Sequence, residues 1–316
     1  MIARRALAGA LALPLLPRLA HAQLQYPVNP VTLVTHSSPG GGSDVFLREL
    51  TKHLTPVMNT SFAVENIRGG SGAQAIARVA RSKPDGSMFY ATTPTYIQTS
   101  LLSRVEVTWD ALDPVAIVFL DATVLYTRAD GPYRSLADVI AAAKAGRGKW
   151  GAANPASLER ITMERINRIT GARAAIVPHE GGGDMMINVL NGTLDMGVGE
   201  PQELRAQLEA NKLRLLATVS AERLAAFPDV PTAREQGVDL VVSKFRGLAG
   251  PKGMSDELAA MWYDALRQVL ATPAYKAVFE PEALTVALKP RAEARAFTTA
   301  FAAELTQNLR EMGVLR

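Results

Sequence analysis

The sequence contains no cysteine. This absence excludes disulfide bonds, thiol catalysis, cysteine-based metal sites and a lipid anchor on an N-terminal cysteine. A chain of 316 residues without disulfide bonds depends on its hydrophobic core, and 48% hydrophobic residues are enough to build a large one. The sequence therefore indicates a protein that is held together by packing alone.

Histidine is also scarce, and the few histidines form no catalytic arrangement. Beyond residue 22 the chain has only His36, His53 and His179. His179 and Glu180 begin like a zinc-protease motif, but glycines follow them and no second histidine does. No G-x-S-x-G segment is present. We therefore expect that the protein is not an enzyme, with no catalytic residue and no metal. His36 and His179 either help to shape a pocket or only pack.

A glycine-rich segment at residues 68–75 has part of a dinucleotide-binding motif. Gly70, Gly72 and Ala75 have the spacing of that motif, but no acidic residue is well placed after the following strand. We therefore expect no nucleotide and no other cofactor.

The chain beyond residue 22 lacks both a long hydrophobic run and an excess of charge. Residues 1–22 contain three of the 34 basic residues and none of the 30 acidic ones, which leaves a net charge of +1 for the rest. This balance gives no reason to expect nucleic-acid binding. The lack of a further apolar run argues against a protein embedded in a membrane.

Residues 1–22 have the features of a secretory signal peptide. Arg4 and Arg5 precede an apolar stretch at residues 6–16, and residues 20–22 (AHA) form a small-x-small cleavage site. The stretch is too short, and too interrupted by proline, to span a membrane. We expect cleavage after Ala22 and a periplasmic location. A buried first helix is the alternative, and the choice between general and twin-arginine secretion stays open.

Beyond this leader, short β-branched runs alternate with helical segments, a pattern typical of α/β folds. Roughly 290 residues are many for one domain. We predict two lobes, each a mixed, mostly parallel sheet flanked by helices, joined by two crossing strands. The first lobe comprises residues 24–123 and 241–316, and the second comprises residues 124–240. The crossings are predicted at residues 121–128 and 238–244.

Two segments of the chain are nearly alike: residues 35–44 (THSSPGGGSD) and residues 178–184 (PHEGGGD). Each follows a predicted strand and precedes a helical pattern. A glycine loop that opens a helix presents unpaired backbone N–H groups at the positive end of the helix dipole, where anions bind. We infer that two halves of the molecule close on one negatively charged small molecule. A tight strand–helix turn is the alternative for either loop.

Arg246 follows a predicted strand at residues 240–245 and precedes Gly247. Arginine can grip a carboxylate with two parallel hydrogen bonds. A surface charge is the alternative. Thr92 and Thr93, after another predicted strand, would supply hydroxyl groups to the same cleft, unless they form only a threonine-rich turn.

These segments resemble the receptors of tripartite tricarboxylate transporters, the Bug-type extracytoplasmic solute receptors. The resemblance covers essentially all of the chain beyond the leader. It is carried by motifs at residues 39–44 (PGGGSD), 64–72 (VENIRGGSG), 84–86 (PDG), 113–116 (DPVA), 177–183 (VPHEGGG), 192–196 (GTLDM), 227–232 (FPDVPT) and 245–247 (FRG).

The resemblance implies a two-lobed periplasmic-binding-protein fold of type II. It also implies a small organic acid, a di- or tricarboxylate, held between the lobes and passed to membrane components of a tripartite transporter. We expect a monomer. The predicted ligand-binding residues are Ser38, Gly41, Gly42, Ser43, Asp44, Thr92, Thr93, Ala153, Asn154, Ser157, Gly182, Glu200 and Arg246.

Two departures from the family leave the ligand open. The second-lobe loop at residues 152–160 has no glycine, and Pro155 removes a backbone donor. Glu200 lies where the family tends to have small or amide residues. An acid facing the cleft would repel a carboxylate unless Arg160 or Arg246 neutralises it, or unless the ligand carries an amine. A solvated glutamate at a loop end is the alternative.

Several functions therefore compete. A transport receptor for an organic acid is the main hypothesis, and a binder of an amine- or amide-bearing carboxylate is its variant. A receptor that docks on a membrane sensor kinase is the principal rival. An exported enzyme lacks a catalytic arrangement, and the effector module of a transcription regulator is disfavoured by the leader and by the missing helix-turn-helix.

Overall fold

The computed structural model describes residues 25–153, 157–242, 244–311 and 313–315. The predicted signal peptide at residues 1–22 and the predicted site residue Asn154 lie outside the described residues. The strands are β1 (Val31–Thr35), β2 (Phe62–Asn66), β3 (Met88–Thr92), β4 (Leu112–Asp121), β5 (Val124–Arg128), β6 (Lys149–Ala152), β7 (Ala175–Pro178), β8 (Gly197–Gly199), β9 (Leu213–Thr218), β10 (Lys244–Pro251) and β11 (Thr285–Lys289).

Ten α-helices lie between or after these strands in the described part of the chain. They are α1 (Gly42–Met58), α2 (Ala73–Ala80), α3 (Pro94–Leu102), α4 (Leu136–Lys144), α5 (Leu158–Thr170), α6 (Gly182–Leu190), α7 (Pro201–Glu209), α8 (Asp256–Ala271), α9 (Pro273–Phe279) and α10 (Arg291–Glu311).

Six strands form one sheet in the order β11-β4-β10-β3-β1-β2. We call the part of the chain built on this sheet the first lobe. β1 pairs in parallel with β2 and β3, whereas β10 is antiparallel to both β3 and β4. One face of the sheet packs on α1 and α8 around Trp262, whose indole N–H donates to the hydroxyl of Tyr26 at 3.0 Å. The other face packs on α2, α3 and α10.

The second lobe is built on two smaller sheets. β5 lies between β8 and β9 in an antiparallel sheet, and β6 pairs in parallel with β7. A bridge between Trp150 and Met196 connects the two sheets, because the N–H of Gly151 donates to the carbonyl of Met196 at 2.8 Å. Trp150 is fully buried in the core of this lobe.

The chain crosses between the lobes twice, once from β4 into β5 and once on the way back into β10. The two crossing strands must run in opposite directions, and β4 and β10 are antiparallel neighbours from Asp121 and Lys244 at one end to Leu112 and Pro251 at the other. Among all pairs of described strands, antiparallel pairs outnumber parallel ones, so the sheets are mixed rather than mostly parallel. The lobe boundaries at residues 123/124 and 240/241 stay a prediction.

Several local predictions differ from the structure. The strand expected at residues 240–245 begins only at Lys244, because Val242 instead donates its N–H to the carbonyl of Val219 beyond the end of β9. The threonines at the end of β3 lead into α3, which begins at Pro94. Proline is favoured at the first helical position, since the missing N–H would have no partner there. The sequence did not predict α3, α9 or β11.

Candidate functional site

The two glycine loops meet between the lobes. α1 begins at Gly42 and α6 begins at Gly182, and neither helix has a side chain that caps it. A methyl group on Gly181 would lie 2.5 Å from the nitrogen of Ser38, and one on Gly183 would lie 2.5 Å from the carbonyl oxygen of Pro39. The two backbones therefore approach so closely that only glycine fits in the second loop.

A carboxylate lies at the junction of the two loops, and it belongs to Glu203 of α7. The N–H of Gly42 donates to Oε2 of Glu203 at 2.9 Å. A methyl group on Gly182 would overlap the same carboxylate. The other oxygen accepts a hydrogen bond from the N–H of Glu200 at 3.2 Å. The starts of α1 and α6 thus converge on an acidic group, as expected for the positive ends of helix dipoles.

A buried ion network lies next to Glu203. Nζ of Lys244 lies 2.6 Å from Oε1 of Glu159 and also contacts Glu200. The guanidinium of Arg246 lies 2.6 Å from Oδ2 of Asp121 and 3.3 Å from Oε2 of Glu200. These side chains are at most 7% exposed. Both cations are therefore already paired with carboxylates of the protein itself.

Acidic groups outnumber basic ones in this network. Glu159, Glu200, Glu203 and Asp121 accompany only two cations. Burial raises the pKa of Asp121 to about 6, although the nearby Arg246 opposes the rise. Burial, together with the negative charge of Glu200, raises the pKa of Glu203 well above its usual range. The interior of the cleft thus carries a surplus of carboxyl groups.

Lys244 lowers the pKa of Glu159, in contrast to the raised pKa values of Asp121 and Glu203. Burial alone would raise the pKa of Glu159, but the ammonium group of Lys244 outweighs it and holds this pKa below its usual range. Glu159 is consequently ionised at neutral pH, although it is only 5% exposed.

A cavity of about 20 Å³ lies within this network, and residues of both lobes line it. Such a volume holds about one water-sized group. The predicted site residues that line it are Gly42, Ser43, Thr93, Ala153, Gly182 and Glu200.

The other predicted site residues in the described part of the chain are buried beside the cavity and not on its wall; they are Ser38, Gly41, Asp44, Thr92, Ser157 and Arg246. Asp44 accepts hydrogen bonds from the N–H of Gly40 at 3.0 Å and from Arg48 at 2.9 Å. The hydroxyl of Ser157 caps α5 by accepting from the N–H of Arg160 at 3.1 Å. Asp44 and Ser157 thus support the loops that bear the site.

Lining residues that were not among the predicted site residues are His36, Ser37, Thr95, Glu159, Val198, Glu203 and Lys244. Two of these residues could have been recognised from their spacing in the sequence. Lys244 lies two residues before Arg246, and such spacing puts both side chains on one face of a strand. Glu203 lies three residues after Glu200, in the pattern of a capping box. His179 lies outside the lining and bonds to the carbonyl of Val177 at 3.0 Å.

His36 is buried, and Nδ1 contacts the hydroxyl of Tyr90 at 2.7 Å. The negative charge of Glu159 acts on it but is outweighed by burial and by Lys244 and Arg246. Burial lowers the pKa of His36 from 6.5 to about 4. The unfolded chain therefore takes up a proton near pH 6.5, whereas the folded protein does so only near pH 4. The stabilisation from a neutral His36 is complete above pH 6.5 and is lost as the pH falls towards 4.

Because His36 takes up a proton more readily in the unfolded chain, we expect the free energy of unfolding to fall by about 3 kcal/mol from pH 7 to pH 4. Urea unfolding of the protein and of His36→Gln at both pH values measures it, since glutamine keeps an acceptor for Tyr90 but does not titrate. The variant should lose less stability on acidification. Equal losses in the two proteins would contradict the assignment to His36.

Two ion pairs connect the lobes outside the cavity. Arg68 contacts Asp184 at 2.9 Å beside the glycine loops, and Arg205 contacts Glu282 at 2.8 Å. The first pair is largely exposed, so it contributes little to stability. The structure therefore shows the lobes in a closed arrangement, with contacts on two sides of the cleft.

The fold is that of periplasmic binding proteins. The structure superposes on "periplasmic binding protein BugD" with a TM-score of 0.85 at 20% identity, covering 92% of this chain and 99% of the other. It also superposes on R. palustris Rpa4515, solved with adipate, with a TM-score of 0.85 at 22% identity and coverages of 92% and 99%. The predicted fold class, a two-lobed periplasmic-binding-protein fold, is thereby confirmed, apart from the share of parallel strand pairs.

The sequence establishes the family. The sequence model of the family described as "Tripartite tricarboxylate transporter family receptor" matches residues 46–303, and the chain belongs to this family. A protein of Cupriavidus necator, called "UPF0065 protein in gbd 5'region", is 29% identical over 284 residues, which is 87% of this chain and 85% of that protein. Among the described residues, no helix combines the length and the hydropathy needed to span a bilayer.

Proposed function

We propose that this protein is an extracytoplasmic receptor that closes its two lobes around a small organic solute bearing a carboxylate. It delivers this solute to the membrane components of a tripartite tricarboxylate transporter. The predicted leader supports export of the chain, and the family supports the transport role.

The observation that carries the proposal is the convergence of two helix N-termini from different lobes on one carboxylate. Glu203 occupies the position next to Gly42 and Gly182, so the backbone there can hold such a group. A neighbour in structure, Rpa4515, was solved with adipate. Binding by two lobes at once would stabilise the closed form, which is the state that a membrane partner can distinguish from the open one.

We assign the contacts to the solute mainly to the residues that line the cavity. Gly182 would donate its backbone N–H, and Ser43 and Thr93 would offer hydroxyl groups. Gly42, whose N–H donates to Glu203, and Ala153 of the second lobe would close the wall. Arg246 lies behind Glu200, and we propose that it holds Glu200 in place. Function then consists of binding and hinge closure without covalent chemistry.

A thermal-shift screen over organic acids, amino acids, amines and amides tests the proposal. A solute at one hundred times its Kd adds about 2.7 kcal/mol to native stability, which raises the Tm by several degrees. Ser43→Ala should reduce the shift of any active compound, whereas Ser103→Ala at an exposed helix end should not. If no compound raises the Tm, the proposed function is wrong.

A further inference from the structure

We propose that the solute of this receptor bears a primary ammonium group, and that the cleft discriminates against di- and tricarboxylates that lack one. The proposal rests on the proposed function, since it takes the cavity between the lobes as the solute site. It names the chemical class that this particular cleft selects.

The cations and the Gly42 N–H, which a carboxylate would use, are already engaged. Glu203 accepts the N–H of Gly42 at the start of α1. Lys244 is paired with Glu159 and Glu200, and Arg246 is paired with Asp121 and Glu200. An entering carboxylate would therefore have to displace Glu203, and no cation in the network is left without a carboxylate to receive it.

The atoms of the cavity wall that have no well-placed partner can accept hydrogen bonds. Oε2 of Glu159 and Oγ1 of Thr93 are buried and have no partner in good hydrogen-bond geometry, although Ser157 and the backbone of Glu159 lie close enough to lower the pKa of Glu159. Glu159 is 5% exposed and Thr93 is 2% exposed, and both residues line the cavity. An ammonium group has three N–H donors and no acceptor, so it complements these atoms. A carboxylate could accept a hydrogen bond from the Thr93 hydroxyl, but it would place a further acceptor against the oxygen of Glu159.

Charge leads to the same conclusion. Three carboxyl groups and one ammonium line the cavity, namely Glu159, Glu200, Glu203 and Lys244. His36 adds no positive charge at neutral pH, because burial lowers its pKa to about 4. Because the pKa of Glu203 is raised well above its usual range, this carboxyl holds a proton. A cation entering the cleft would favour its ionisation, whereas a further anion would oppose it.

The size of the cavity agrees with a head group of this kind. About 20 Å³ accommodates a group the size of one water, and an ammonium is of that size. The remainder of the solute requires the lobes to open further than in this structure.

Three compounds of similar length separate the charge of the solute from its shape: succinate, 4-aminobutyrate and putrescine. They carry two carboxylates, one carboxylate and one ammonium, and two ammonium groups, respectively. Isothermal titration of the full chain beyond the leader should give a Kd for 4-aminobutyrate at least tenfold lower than that for succinate. A Kd for putrescine below that for 4-aminobutyrate would uphold the ammonium preference but contradict the carboxylate of the proposed function. A Kd for succinate equal to or below both others overturns the inference and leaves the proposed function standing.

Glu159→Gln distinguishes a direct contact from a structural role. The variant removes one negative charge from the cavity wall and leaves Lys244 with one carboxylate fewer. We expect a loss of tenfold or more in affinity for the ammonium compound and a gain for succinate. The matched control is Glu164→Gln on the same helix, where the side chain is 44% exposed and pairs with Arg160. The control should change neither affinity.

The remaining outcomes also decide the question. If Glu159→Gln weakens the binding of the ammonium compound and of succinate equally, the effect of the variant is structural and the inference is overturned. If this variant does not fold, Thr93→Val serves in its place, because it removes the unpaired hydroxyl without changing charge. If none of the three compounds binds the unaltered protein, the inference is wrong, and the broad thermal-shift screen decides separately whether the proposed function stands.

Discussion

Arg246→Ala is expected to lower the free energy of unfolding by about 3–5 kcal/mol, because it leaves buried carboxylates without their cation. The guanidinium is 1% exposed and lies 2.6 Å from Asp121, which is itself completely buried. It also lies over the ring of Phe46, 5.5 Å from the centroid, so truncation removes packing as well as charge. Denaturation in urea at pH 7 measures the loss.

A second arginine provides the control for this prediction. Arg234 contacts Asp239 at 2.8 Å, but the two side chains are 51% and 84% exposed, so Arg234→Ala should cost less than about 1 kcal/mol. In an Asp121→Asn background the effect of Arg246→Ala should shrink, since the uncompensated charge is gone. A loss below about 1 kcal/mol for Arg246→Ala alone would show that the buried network does not need this cation.

Gly183→Ala is expected to shift the protein towards an open form without harming either lobe. The added methyl group would lie 2.5 Å from the carbonyl oxygen of Pro39 and 3.3 Å from the nitrogen of Gly41, and both of these belong to the first lobe. Overpacking of this kind costs about 1–3 kcal/mol, which lowers the ratio of closed to open molecules roughly 5- to 150-fold. Small-angle X-ray scattering should report a larger radius of gyration.

The unfolding free energy of Gly183→Ala should be nearly unchanged, because alanine is a better helix former than glycine and the strain arises only on closure. Ile187→Ala on the same helix is the control, since Ile187 is 59% exposed, and it should scatter like the unaltered protein. An unchanged radius of gyration for Gly183→Ala would contradict a closure that depends on direct contact between the glycine loops.

The parts of the site that depend on neighbouring residues could be predicted from the sequence. A glycine loop that follows a strand and opens a helix has a local signature, and the structure begins helices at Gly42 and Gly182. The side chains that fill the cleft have no such signature. Glu203 meets Gly42 across 161 positions of the chain, and Lys244 meets Glu159 across 85.

The charge of the site could not be predicted for a related reason. From the sequence, Arg246 indicated a free carboxylate clamp, because its partners Asp121 and Glu200 are distant in the chain. Whether a buried cation is free or compensated depends on tertiary contacts, and these decide its preference for a ligand. Glu200 was recognised as a departure from the family, and Arg246 was one of two arginines expected to neutralise it, but its pairing with Lys244 was not predicted.

The two connections between the lobes are neighbouring strands of one sheet, paired from Lys244 and Asp121 to Pro251 and Leu112. Hydrogen bonds along this pair hold the two connections side by side where they leave the first lobe. We expect them to restrict the second lobe mainly to a hinge motion. One pair of spectroscopic labels placed across the mouth of the cleft would therefore follow this hinge motion with a single distance.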